Sequence, residues 1–340
     1  MTERLVVWYN IRINRKKVGL EMQITFLDAK TLGEDLRQEI QSIFCAIGNV
    51  TVYDRTDESN FEEHVRGAEI LILNKYKLNR ENLPCATSLK LICVSATGYD
   101  NIDVPYCREK GIAVCNVVGY STQCVSQVTV GMALSLLTHL GEYSDCVRSG
   151  EYTRRGIANC LFPTYHEIAG KTWGIVGFGN IGQQVGKVAQ ALGCRVLVNK
   201  RTPIGGWECV DLDTVCRESD ILSIHVPLSD ATRGMLDRDH IASLKKDAIV
   251  INVARGAVTD ESALAEAVKN GSIGGLGVDV YSVEPMAQNH PFQEIKDLPN
   301  VLLTPHMAWG GYETRVRLLN EMALNIRSFE SGEHRCRVDL

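Results

Sequence analysis

Apolar and polar positions alternate along this chain in short blocks. From Met22 onward, runs rich in Val, Ile and Leu at 22–27, 50–53, 69–73, 90–94 and 112–115 have the length and composition of buried strands. Stretches near 34–46, 58–67, 79–86 and 103–110 carry the wider apolar spacing of helices. Strand, helix, strand repeated in this way predicts a parallel sheet with helices on both faces. Residues 122–140 are apolar on nearly every side, the pattern of a buried helix at a domain or subunit boundary. A second series of strands follows at 172–176, 195–198, 221–225, 248–253, 275–280 and 301–304. The last helix, about 311–331, comes after the final strand and is placed to return to the first unit. Two doubly wound α/β units are therefore expected, in keeping with a length of 340 residues.

The second series opens with a phosphate-binding signature. The strand 172–176 runs into Gly177, Phe178, Gly179, Asn180, Ile181 and Gly182, and then into a helix whose apolar face holds Ile181, Val185, Val188, Ala189 and Leu192. In such a loop the first glycine makes the turn, the second admits a pyrophosphate and the third lets helix and strand pack closely. The helix start then offers free N–H groups and the positive end of its dipole. A dinucleotide site is predicted here. NAD-binding versions end the following strand with a carboxylate for the ribose hydroxyls, whereas this chain has Asn199, Lys200, Arg201 and Thr202. Two cations can pair with a 2′-phosphate, so NADP(H) is expected in preference to NAD(H).

Composition narrows the classes. A net charge of −5 gives no electrostatic case for a nucleic-acid or anionic-membrane partner, and no apolar run reaches the length of a membrane span. The 12 cysteines are scattered, without a Cys-x-x-Cys pair, and are read as free thiols in a reducing cytoplasm rather than as a metal or redox site. The expectation for residues 1–21 is an upstream extension outside the fold, with Met22 as the natural start. Arg12, Arg15, Lys16 and Lys17 follow the short apolar run Leu5 to Tyr9, the reverse of a signal peptide.

Acid–base chemistry is suggested by three strand ends. Arg255 follows one strand, Glu284 the next and His306 the last, all at the carboxyl edge where ligands of α/β sheets bind. Arginine can hold a carboxylate bidentately, histidine can pass a proton to a developing alkoxide, and a glutamate can orient the imidazole. Singly, Arg255 and Glu284 also fit a surface ion pair and His306 a strand-end histidine; together they point to carbonyl reduction. In the first unit, the loop Ser95 to Asp100 and the pair Asn74 and Lys75 lie at corresponding strand ends. There, backbone N–H groups and a cation could hold an anion.

These pieces resemble the D-isomer-specific 2-hydroxyacid dehydrogenase family. The likeness is carried by Gly-Tyr-Ser-Thr at 119–122, the stretch 170–182, His225-Val226-Pro227-Leu228, Asn-Val-Ala-Arg-Gly-Ala-Val-Thr-Asp at 252–260, Gly277 to Tyr281 with Glu284-Pro285, and Thr304-Pro305-His306. It implies a Rossmann-type dinucleotide-binding domain over 121–310 and a flavodoxin-like substrate domain from 22–120 and 311–340. It further implies a homodimer built around the cofactor domain.

By the same resemblance Arg255 binds the carboxylate and carbonyl of a small 2-oxo acid, His306 is the general acid/base and Glu284 its partner. Thr97 and Gly98 belong to the substrate-carboxylate loop. Asp279 faces the nicotinamide carboxamide, and His225, Pro227 and Val253 border the cofactor. Lys200 stands where many relatives have an acidic residue. The segments after Gly119 and around Trp309 look most like the glycerate dehydrogenase, or hydroxypyruvate (glyoxylate) reductase, branch. Trp309 on that reading lines the substrate pocket, with a core aromatic as its other reading. Glu284 argues against a formate dehydrogenase, where glutamine is expected. A D-lactate-type dehydrogenase and a non-catalytic, corepressor-like dinucleotide sensor remain as alternatives.

Overall fold

A computed structural model describes residues 22–340. The expected extension at residues 1–21 lies outside the described residues. Two parallel sheets organise the chain, and the apolar blocks form them with shifts of a residue or two at their ends.

The first sheet contains β1 (Gln23–Phe26), β2 (Asn49–Val52), β3 (Ile70–Leu73), β4 (Leu91–Val94) and β5 (Ala113–Cys115) in the order β2-β1-β3-β4-β5. That order is the flavodoxin-like one, with its topological switch between β1 and β3. Successive residues alternate between two cores. Ile24, Phe26, Ile70, Ile72, Leu91 and Cys93 face one side, where the helix Tyr312–Glu330 lays down Leu318, Leu319, Met322 and Ile326. Leu71, Leu73, Ile92, Val94 and Val114 face the other. The last helix thus returns to the first unit, and the chain end follows it, with Val338 donating to the Val114 carbonyl at 2.9 Å.

The second sheet holds β6 (Thr172–Val176), β7 (Arg195–Asn199), β8 (Glu208–Cys209), β9 (Ile221–Ile224), β10 (Ile249–Asn252), β11 (Gly275–Val278) and β12 (Val301–Leu303). Its order, β12-β11-β10-β9-β6-β7-β8, reverses between β6 and β9, where Trp173 stands opposite Ile221. That is the doubly wound dinucleotide topology with one further strand. The helix Thr122–Leu137 packs Met132, Ala133 and Leu136 onto this sheet against Trp173, Ile175 and Ile251. Among the described residues no single helix is long and apolar enough to cross a membrane.

One local feature differs from expectation and two others were not anticipated. The stretch 79–86 is not an α-helix; it ends in a 3-10 turn, Leu83–Cys85. Pro84 offers no N–H, and Asn79 Oδ1 takes the N–H groups of Glu81 at 2.9 Å and Asn82 at 3.2 Å, an alternative to helical bonding. The two-residue β8 was missed because it is too short to show a period. Between the units, the helices Leu140–Arg148 and Glu151–Arg155 bury none of their residues. This arm exposes Leu140, Val147, Ile157, Leu161 and Phe162, the last two about three-quarters open.

Candidate active site

The glycine loop begins at the end of β6. Gly177 has φ +91°, and a Cβ there would stand 2.6 Å from Val226 Cγ1 and 2.8 Å from the His225 carbonyl carbon. At Gly182 a Cβ would lie 2.3 Å from the Gly177 oxygen. Both glycines are forced by packing. Gly179 is different: nothing lies within 4 Å of its missing Cβ, so the space above it is free for a phosphate. The helix Asn180–Ala191 starts there with no side chain capping it, leaving its first N–H groups for a ligand. Beside the loop, His225 Nε2 meets Ser223 Oγ at 3.0 Å while its buried Nδ1 has no partner among the described residues. Burial pulls its pKa down to about 3, so the ring stays neutral. These residues fit a dinucleotide. Lys200, Arg201 and Thr202 are exposed after β7, and neither cation forms an ion pair among the described residues. Pro227 is exposed, its carbonyl accepting from Thr232 Oγ1 at 2.6 Å, and Val253 packs against the second-sheet core.

Arg255, Glu284 and His306 follow β10, β11 and β12, neighbouring strands of one sheet. His306 Nδ1 lies 2.7 Å from Glu284 Oε2 and 2.9 Å from Oε1. With its proton on Nδ1, the ring keeps Nε2 for a substrate oxygen. Burial pushes the Glu284 carboxyl up, but the hydrogen bond and charge of His306 and the charge of Lys75 outweigh it and hold it at about 2. His306 itself has φ +55°, in the left-handed region that a non-glycine residue occupies only where its surroundings enforce it.

The enforcing group is Asp279, which is 1 % exposed. One oxygen accepts from Thr304 Oγ1 at 2.6 Å and from the Met307 N–H at 2.8 Å; the other takes the Ala308 N–H at 2.9 Å. The resemblance assigned Asp279 to the cofactor; in this structure its carboxylate also clamps the loop on both sides of His306. Asn252 does the same for Arg255: its Oδ1 takes the Ala254 N–H and its Nδ2 donates to the Arg255 carbonyl, each at 3.0 Å. A third clamp is the buried pair Glu261 and His290. Glu261 Oε1 accepts the Ser282 N–H at 2.9 Å, two residues before Glu284, and His290 Nε2 meets Oε2 at 3.0 Å. The Asp279 and Glu261 clamps were not legible beforehand, because each joins residues far apart in sequence; the Asn252 clamp is local, closing on residues two and three positions further along, but its turn has no distinctive residue pattern. For Asn252 and Asp279 the available signal was a polar residue at the end of, or just after, an apolar strand; Glu261, at a helix start, offered none.

Across the cleft, the first sheet presents its own strand ends. Gly98 lies against Arg255: a Cβ on it would come 2.0 Å from Arg255 Nη2. Asp100 Oδ1 stands 3.7 Å from the same nitrogen, and Arg255 Nη1 donates to the Ala254 carbonyl at 2.8 Å. Thr97 Oγ1 donates to the Val117 carbonyl at 2.8 Å, which fixes the loop. Asn74 is buried, with its Nδ2 unpartnered among the described residues. Lys75 Nζ reaches Glu284 Oε2 at 3.1 Å and His306 Nδ1 at 3.2 Å. Trp309 packs against the first-sheet core, edge-on to Tyr120 with ring centroids 6.4 Å apart. The described residues contain no group of three or more His, Cys, Asp or Glu placed to hold a metal ion, and all 12 cysteines are free.

A doubly wound sheet with a glycine loop, and an imidazole–carboxylate pair with an arginine at its carboxyl edge, define a dinucleotide-dependent oxidoreductase. Comparison with known proteins makes the class specific. Residues 130–308 match the family model described as D-isomer specific 2-hydroxyacid dehydrogenase, NAD binding domain. The chain is 34 % identical over 313 residues to a glycerate dehydrogenase of Methylorubrum extorquens, covering 92 % of this chain and 97 % of that protein. It is 37 % identical over 279 residues to a glyoxylate reductase of Thermococcus litoralis, covering 80 % and 83 %. Among solved structures, it resembles an NADPH-dependent glyoxylate/hydroxypyruvate reductase of Sinorhizobium meliloti in complex with NADP and malonate. The TM-score is 0.81 at 26 % identity, over 94 % of this chain and 97 % of that one. The chain belongs to the D-isomer specific 2-hydroxyacid dehydrogenase family, and its cofactor is a nicotinamide dinucleotide.

Proposed function

We propose that this protein reduces small 2-oxo acids, hydroxypyruvate and glyoxylate foremost, to D-2-hydroxy acids, using NADPH in preference to NADH. The observation that carries the reading is the convergence of Arg255, Glu284 and His306 on adjacent strand ends beside the glycine loop. When bound, the dinucleotide supplies the hydride to C2 of the substrate. Arg255 holds the substrate carboxylate and polarises the carbonyl, with the backbone at Thr97 and Gly98 on the opposite wall. His306 gives its Nε2 proton to the carbonyl oxygen, and Glu284 stabilises the charge on the ring before that transfer. The NADP preference rests on Lys200 and Arg201, two cations without an ion-pair partner among the described residues, with no carboxylate at the end of β7.

Residues 22–120 with 311–340 act in this reading as the substrate domain and 121–310 as the dinucleotide domain, closing on each other to exclude water. The apolar arm at 140–165 is the surface for a second copy in a cytoplasmic homodimer; it is too apolar to remain bare. Steady-state assays crossing NADPH and NADH with hydroxypyruvate, glyoxylate, pyruvate and phenylpyruvate test the proposal. It expects the highest kcat/KM for hydroxypyruvate or glyoxylate with NADPH. Highest values with pyruvate would favour a D-lactate-type enzyme. Folded protein that binds dinucleotide without turnover would favour a sensor.

A further inference from the structure

The acid–base pair belongs to the second sheet, yet its third polar neighbour comes from the first. Lys75 follows β3, and its ammonium lies 3.1 Å from Glu284 Oε2 and 3.2 Å from His306 Nδ1. Its placement is built rather than incidental. Asp28, just beyond β1 and 8 % exposed, accepts the N–H groups of Asn74 at 2.8 Å, Lys75 at 2.7 Å and Tyr76 at 3.0 Å. Three N–H bonds to one carboxylate fix the backbone from which Lys75 extends. Burial pushes the Asp28 carboxyl up against those donors, so the clamp is a desolvated one. Asn101 Nδ2 ties the same loop from the next strand end, donating to the Asn74 carbonyl at 3.2 Å and the Tyr76 carbonyl at 2.8 Å.

We infer that Lys75 is a positioning residue that acts through Glu284: it competes with His306 for the carboxylate and so tunes the acid–base pair when the two sheets come together. The competition follows from valence. His306 Nδ1 can donate to Glu284 or accept from Lys75, but it cannot do both at once. A cation on the carboxylate also offsets part of the negative charge that favours imidazolium. The Tyr281 N–H also donates to Glu284 Oε1, at 3.2 Å, while its own hydroxyl donates to the Thr304 carbonyl at 3.0 Å. Asp279 is engaged beneath the loop, and Arg255 with Asp100 occupies the neighbouring strand end. Because Asp28, Asn74 and Lys75 sit on the first sheet and Glu284 and His306 on the second, opening of the cleft removes the cation. The proton affinity of the pair is thereby coupled to closure.

This inference rests on the proposed acid–base role of His306, and the test separates the two. The pH dependence of kcat/KM for D-2-hydroxy acid oxidation is measured for the unaltered chain, Lys75→Met and Lys75→Arg. In parallel, the pair is titrated by NMR of histidine-labelled protein, which needs no turnover. Lys75→Met is expected to move the limb of the profile, and the NMR midpoint, up by about one pH unit. Oxidation at a fixed pH below that limb then falls about tenfold, and Lys75→Arg restores the unaltered profile. A raised substrate KM in Lys75→Met with the profile and midpoint unmoved would overturn the inference and make Lys75 a substrate contact. If the unaltered chain shows no oxidation, the acid–base reading fails. The NMR midpoint then still decides the inference: an upward shift in Lys75→Met sustains the coupling, and no shift refutes it.

Discussion

Gly98→Ala is the most informative single change at the substrate wall. Gly98 has no positive φ, so an alanine Cβ brings no backbone strain; what it meets is Arg255 Nη2 at 2.0 Å and Cζ at 3.2 Å, with Asp100 Oδ1 also at 3.2 Å. Ordinary contact begins near 3.4 Å, so the guanidinium must retreat by roughly 1.4 Å, the difference between those two distances. The obstacle is the end of a flexible side chain, and folding stability should change by no more than about 0.5 kcal/mol. Catalysis is less forgiving, since a displacement of about 1 Å in a positioning group is worth about 100-fold in rate, or about 2.7 kcal/mol. The expected result is a kcat/KM for the 2-oxo acid lowered about 100-fold, with the dinucleotide Kd and Tm unchanged. Steady-state kinetics, dinucleotide titration and thermal melting on one preparation check it. A kcat/KM within about threefold of the unaltered protein would refute the claim that Gly98 is there to seat Arg255.

Other expectations concern the clamps, the cofactor end and acid. Asp279→Asn replaces an acceptor oxygen with a donor against backbone N–H groups, so it should cost about 2 kcal/mol in denaturant unfolding and lower kcat through the loosened His306 loop. Replacing Lys200 and Arg201 together by alanine should raise the KM for NADPH about tenfold or more and leave that for NADH nearly unchanged; equal changes for both would discard the phosphate pairing. The Glu284 carboxyl, at about 2 in the folded protein against an ordinary 4.5, contributes stability that is full above about pH 4.5. That contribution is lost as the pH falls through about 2. Solvent at this partly exposed position screens it below the roughly 3 kcal/mol of the full shift; Glu284→Gln should still flatten the loss of stability below pH 4.5, and parallel curves would contradict this.

Much of the architecture could be read from the chain because its strands are buried on both faces and stand out as short apolar blocks separated by glycine-rich turns. The sheet partition and the return of the helix Tyr312–Glu330 followed from order alone. The placement of Arg255, Glu284 and His306 at one edge was legible because each lies in the loop after a strand, and all parallel strands of one sheet deliver their carboxyl ends to the same edge. Long-range polar contacts were not legible. Asp28 reads as a strand-end acid until its three N–H donors are seen, and Glu261 as part of an exposed helix start until His290 lies against it. The helix expected at 79–86 failed because the Asn79 side chain and Pro84 favour a turn over helical bonding.

The central claim is that His306 transfers the proton in a site whose dinucleotide grip is separate. Single-turnover reduction of hydroxypyruvate by the His306→Ala protein loaded with NADPH tests it most directly, alongside a dinucleotide titration. The account predicts a chemical step slowed by a factor of about 100 or more with the NADPH Kd unchanged. A step that keeps its rate, or a loss that tracks weakened NADPH binding, would contradict it.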